Sequence, residues 1–144
     1  MRILVDADAC PVVGILLEEG SRAGAEILLF CDTAHRLERP GAQTITVDRG
    51  ADSVDLALVN RAQPGDIVVT QDYGLAAMAL ARGARPLHQD GWRYREENMD
   101  GLLAMRHQAQ VYRRAGGRTK GPKKRTPAQD TAFRGALRQL LEET

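Results

Sequence analysis

Three short apolar runs constrain this chain more than anything else in it. Residues 2–5 (Arg-Ile-Leu-Val) run into Asp6, residues 26–31 read Glu-Ile-Leu-Leu-Phe-Cys, and residues 66–70 read Asp-Ile-Val-Val-Thr. Each is too short for a helix and rich in the branched and aromatic side chains that suit a pleated surface, so each reads as a buried strand. The segments between them have a different period. Val12, Val13, Leu16 and Leu17 follow Pro11 at helical spacing, with Pro11 suited to the first helical position. Residues 54–62 read as a helix capped by Asp52 or Ser53, and residues 73–82 as an alanine-rich helix that Gly83 ends. Residues 43–47 alternate as a further strand, and 84–87 make a short last one. Strands that alternate with helices predict a three-layer α/β/α fold, with five strands in a mostly parallel sheet and right-handed crossovers.

The 144 residues suit one domain, and 43% apolar composition supplies a core. No stretch approaches the roughly 18 apolar residues of a membrane span. The opening MRILVDAD has acids where a secretory leader would be apolar, so a cytoplasmic location is expected. Cys10 and Cys31 lie too far apart for the paired spacing of a structural zinc site. Residues 96–114 read as a helix with Met99, Leu102, Leu103 and Met105 towards the core. Residues 115–125 are rich in glycine and basic side chains, which predicts a segment that is flexible when nothing is bound. Thr126-Pro127-Ala128-Gln129 is a capping-box start, and Phe133, Leu137, Leu140 and Leu141 share one face of the helix that follows. The expected organisation is an α/β domain over 1–114, with a basic loop and C-terminal helix over 115–144 packing on the same domain.

Net charge is only +1, but it is unevenly spread. Residues 1–105 hold 10 Lys/Arg and 16 Asp/Glu, a balance of −6, whereas residues 106–144 hold 10 and 3, a balance of +7. An acidic body with a basic tail suits a cation site beside a surface for polyanions.

The aspartates carry the chemistry. Asp6 ends the first strand, Asp8 lies two residues on, and Asp72 follows the 66–70 strand. The carboxyl ends of parallel strands meet at one edge, where ligands bind, so Asp6 and Asp72 should share it. Asp52 and Asp55 open the helix after the third strand, residues 43–47, and can face the same cleft. Clustered carboxylates resist ionising together, a divalent cation removes that penalty, and oxygen ligands favour Mg2+ or Mn2+. Plainer roles exist for most of them. Asp72 or Asp52 could cap a helix, and Asp66 reads as a turn residue at the opposite edge. Asp6 alone has no structural need for its charge. Lys120, Lys123, Lys124 and Arg125 could hold phosphates, with Arg36 and Arg49 as weaker candidates. Aromatic content is 4%, so no stacking platform is expected. Cys10 reads as a packed small residue, although a cysteine near a helix start can be a nucleophile. His35, His88 and His107 are scattered and receive no role.

Val5-Asp6-Ala7-Asp8-Ala9-Cys10-Pro11, Ala51-Asp52-Ser53-Val54-Asp55, the run from Gly65 to Ala76, and Gly121-Pro122-Lys123-Lys124-Arg125-Thr126 together resemble the bacterial YaiI/YqxD family of uncharacterised proteins. That family is similar, at the level of the fold, to the PIN-like nuclease superfamily. The resemblance implies that Asp6, Asp55 and Asp72 correspond to the three PIN acids, with Asp8 an extra acid of the narrower family. The C-terminal acid that often completes a PIN site has no clear match here, and Asp8 could stand in for it. The implied function is divalent-metal-dependent phosphodiester hydrolysis, of RNA more than DNA, with Mg2+ or Mn2+ held by Asp6, Asp8, Asp55 and Asp72. The alternatives are a non-cleaving nucleic-acid-binding protein and a phosphatase-like hydrolase using Asp6 as nucleophile.

Overall fold

The computed structural model describes residues 1–32, 37–48, 53–117 and 124–143, the side chains of residues 53, 102, 103 and 106 excepted. In chain order its elements are β1 (Arg2–Asp6), α1 (Val13–Arg22), β2 (Glu26–Asp32), β3 (Gln43–Val47), α2 (Ser53–Arg61), β4 (Ile67–Val69), α3 (Tyr73–Ala81), β5 (Arg85–Leu87), α4 (Glu96–Arg114) and α5 (Pro127–Glu142). The five strands pair in the order β3-β2-β1-β4-β5, and every pairing is parallel. Side chains alternate across a strand, and here the alternation divides the core in two. Ile3, Val5, Ile27, Leu29, Ile67 and Val69 face one layer with Val13 and Leu16 of α1 and Phe133, Leu137 and Leu140 of α5. Leu4, Leu28, Phe30 and Val68 face the other, with Leu58 of α2 and Leu75 and Ala79 of α3. The expected three-layer α/β/α arrangement is thus observed.

Two expectations change. The first helix begins at Val13, not Pro11. Pro11 and Val12 complete a turn in which Ala9 adopts φ 57°, and the Val12 carbonyl accepts the first helical N–H, from Leu16 at 2.9 Å. Met105 is 67% exposed, whereas Met99 is buried against Ala76 and Tyr94. Six residues at about 100° each carry Met105 to another face of α4. Leu102 and Leu103 fall outside the described side chains, as do the Asp52 cap and Arg36 and Arg49.

The capping box at Thr126 forms, with Thr126 N–H donating to Gln129 Oε1 at 2.8 Å. A clasp holds α5 to the loop after β5. Arg125 donates to Asp130 Oδ1, Asp90 Oδ1 and the Gln89 carbonyl at 2.6, 3.0 and 2.7 Å. Gly91, at φ 95°, approaches so closely that a Cβ there would lie 2.5 Å from the Ala132 carbonyl carbon.

Candidate active site at the carboxyl edge of the sheet

The strand order reverses between β1 and β4, and a crevice opens at the carboxyl ends of strands at such a point. Residue 6 has the parity of Leu4, so its side chain lies on the α2/α3 side of the sheet. That side presents Asp72 as the N-cap of α3 and Asp55 in the first turn of α2. Asp6, Gln71, Asp72 and Tyr73 line a cavity of about 310 Å3 there.

Thr70 organises the site. Its hydroxyl donates to Asp6 Oδ2 at 3.1 Å and accepts the Asp72 backbone N–H at 3.0 Å. Asp72 Oδ1 in turn accepts the Leu75 N–H at 3.0 Å, so the capping role expected for Asp72 is present. Each acid is oriented through one oxygen. No hydrogen bond among the described residues engages Asp6 Oδ1 or Asp72 Oδ2. Behind Thr70 stands Tyr94, 2% exposed, whose hydroxyl donates to the Thr70 carbonyl at 3.1 Å. Burial pushes that phenol's pKa well above its usual range, so it keeps its proton.

The electrostatics are those of crowded like charge. Burial above all, with Asp55, Asp8 and Asp72 adding to it, pushes the Asp6 carboxyl up to about 6. The Thr70 hydroxyl opposes them by bonding the charged form. The three other expected acids therefore all act on Asp6 at this edge. Among the described residues, however, no three His, Cys, Asp or Glu side chains stand close enough to hold one ion together.

A second cavity, of about 340 Å3, lies beside the first turn and is lined by Asp8, Ala9, Cys10, Leu37 and Arg39 among others. Cys10 packs against the core, and burial pushes its thiol up to about 11, so it is protonated at neutral pH and does not act as a thiolate. His88 is held neutral by burial, and its Nδ1 accepts the Asp90 N–H at 3.0 Å.

The four expected phosphate-binding residues separate. Lys124 is exposed, Arg125 is anchored in the clasp, and Lys120 and Lys123 lie outside the described residues. Thr70 and Tyr94 were missed by sequence reasoning. Thr70 has a signal, since it ends a strand two residues before an acid. Tyr94 has none, because its bond spans 24 residues of chain.

Fold and site together define a doubly wound α/β protein with a carboxylate-lined crevice at its switch point. Residues 4–143 match the family described as "Uncharacterized BCR, YaiI/YqxD family", and the chain belongs to that family. It is 54% identical to a UPF0178 protein of Exiguobacterium sibiricum, over 99% of this chain and 98% of that one. A UPF0178 protein of Ruminiclostridium cellulolyticum is 50% identical over 95% and 90% of the two chains, and one of Clostridium acetobutylicum is 46% identical over 98% and 97%. No solved structure matches the chain. Among the described residues, no helix is long and apolar enough to cross a membrane.

Proposed function

We propose that the protein is a PIN-like, divalent-metal-dependent nuclease that hydrolyses phosphodiester bonds, in RNA more than DNA. One observation carries this reading. A half-buried carboxyl, Asp6, is held near pH 6 by desolvation and by three further acids at the switch point of a parallel sheet. Such a site disfavours its own charge, and a cation is the ligand that reverses the penalty. The donor set suits Mg2+ or Mn2+, because every side chain in it offers oxygen. The acids fit that ion by chemistry, while closing around it requires them to draw together.

A bound divalent ion would supply Lewis acidity towards the phosphoryl oxygens and the attacking water. The chain's own residues do the rest. Thr70 fixes the Asp6 carboxylate from one side, leaving Oδ1 towards the cavity, and Tyr94 fixes Thr70. The α3 N-terminus fixes Asp72 through Oδ1. Asp55 and Asp8 add negative charge that draws a cation and holds a bare phosphate away until a cation is bound. Lys124, exposed ahead of α5, would add a cation for the phosphate backbone.

The test is cleavage of single-stranded RNA and DNA with Mg2+ or Mn2+. Asp6→Asn and Asp72→Asn are expected to lower the rate by about 100-fold or more with binding nearly unchanged. Failure to cleave either polymer with either metal at any salt overturns the proposal. Salt-dependent binding that survives Asp6→Asn, without cleavage, would indicate the non-cleaving protein, and covalent labelling of Asp6 the phosphatase.

A further inference from the structure

The chain has only six aromatic residues, two Phe, one Trp and three Tyr. Phe30 and Phe133 fill the two core layers, and Tyr112 is exposed on α4. The other three gather beside Asp72. Tyr94 meets Tyr73 edge to face at 5.9 Å and 80°, and Trp92 packs on Tyr94 at 4.6 Å. His88 stacks on Trp92 at 4.4 Å and 11°. The scarcity that argued against a stacking platform is offset by this concentration. Only one ring of the group lines the acid cavity. Tyr73 is half-buried and forms the wall next to Asp72, while Tyr94 packs on it edge to face and Trp92 packs in turn on Tyr94. No hydrogen bond among the described residues engages its hydroxyl, and α3 is capped by Asp72 without it. Gln71, exposed at the rim of the same cavity, offers an amide donor and acceptor.

We infer that Tyr73 and Gln71 form a nucleobase subsite, in which the Tyr73 ring stacks on the base adjoining the phosphate held at Asp6 and Asp72. The inference rests on the nuclease reading, to which it adds the part of the substrate beyond the phosphate. One sugar joins a base to its phosphate, so a phosphate beside Asp72 brings its base to the neighbouring wall. Stacking on a tyrosine tolerates any base, because every base has a π-face. Recognition here would therefore favour unpaired strands, whose bases can leave the stack.

The experiment titrates the full chain into short single-stranded RNAs carrying fluorescent 2-aminopurine at successive positions. Emission is read on mixing, and the same samples are then analysed for cleavage with Mn2+. Quenching is expected at one position. Tyr73→Leu should abolish that quenching and raise Kd about 10-fold, whereas Tyr73→Phe keeps both. Circular dichroism establishes that each variant folds. Equal Kd and emission in Tyr73→Leu, or no quenched position in an RNA that binds, overturns the subsite and leaves the nuclease reading standing. Quenching without cleavage removes the nuclease reading and leaves the subsite. RNA that does not bind removes both.

Discussion

At the amino edge of the sheet, Arg2 meets Asp66 at 2.7 Å, and Asp66 also accepts the Gln63 N–H at 2.9 Å. Arg2 donates to the Arg61 carbonyl, and Arg82 to those of Val59 and Asn60, so cations cap the carbonyl end of α2. At the carboxyl edge, a few strand residues away, three acids act on Asp6, and Thr70 is the neutral group between Asp6 and Asp72. A hollow of about 630 Å3 opens at the amino edge, twice the size of the one at Asp6, yet Arg2 and Arg82 in its lining already face carbonyl oxygens. Size alone therefore does not single out a site. The amino edge joins opposite charges, whereas the carboxyl edge sets like charges around Asp6.

The sharpest way to break this contrast is to delete an acid at each end. Asp66→Ala is expected to destabilise the protein by about 3 kcal/mol, since it strands Arg2 and the Gln63 N–H, as read by urea unfolding. Mn2+ at about 100 times its Kd should stabilise the wild type by about 2.7 kcal/mol and leave Asp6→Asn unchanged, as seen in thermal midpoints. Without metal at pH 7, Asp6→Asn should stabilise the protein by about 2 kcal/mol, the opposite sign to Asp66→Ala. The sign follows from the raised carboxyl. Between its ordinary 3.8 and about 6 the folded state holds a proton that the unfolded state lacks, so stability falls as pH rises through that window. The gain from Asp6→Asn should accordingly vanish below pH 3.8 and be complete above about 6. The smallest effect belongs to the turn after β1. Ala9→Gly should stabilise by about 1 kcal/mol by relieving the left-handed φ of 57°. A loss there would mean that the Ala9 methyl has a packing role.

The strands and the acids were legible because each is a local signal. Residues 3–5 and 67–69 are apolar without interruption; Asp6 follows the first directly and Asp72 the second after Thr70 and Gln71. The parity that turns Asp6 towards Asp55 and Asp72 also needs only the pleat. Thr70 and Tyr94 were not legible in their roles, because their bonds span 64 and 24 residues of chain. The same holds for Arg125, whose charge read as a phosphate ligand and whose side chain closes on Asp90 and Gln89, 35 and 36 residues away. A percentage also carries no position: Tyr73, Trp92 and Tyr94 gather at one place, although Tyr73 alone of the three lines the cavity.

The pairing of β1 with β4 has a kinetic consequence. Ile3, Leu4 and Val5 sit opposite Ile67, Val68 and Val69, so the central contact of the sheet joins residues 64 apart in the chain. Closing so long a loop is slow compared with local pairing. The share of the repulsion on Asp6 that comes from Asp72 is therefore not met while β1, α1 and β2 assemble. It arises only when β4 docks and carries Thr70 and Asp72 to Asp6. A fragment that lacks residues 67–69 could form the first crossover but could not bring these acids together.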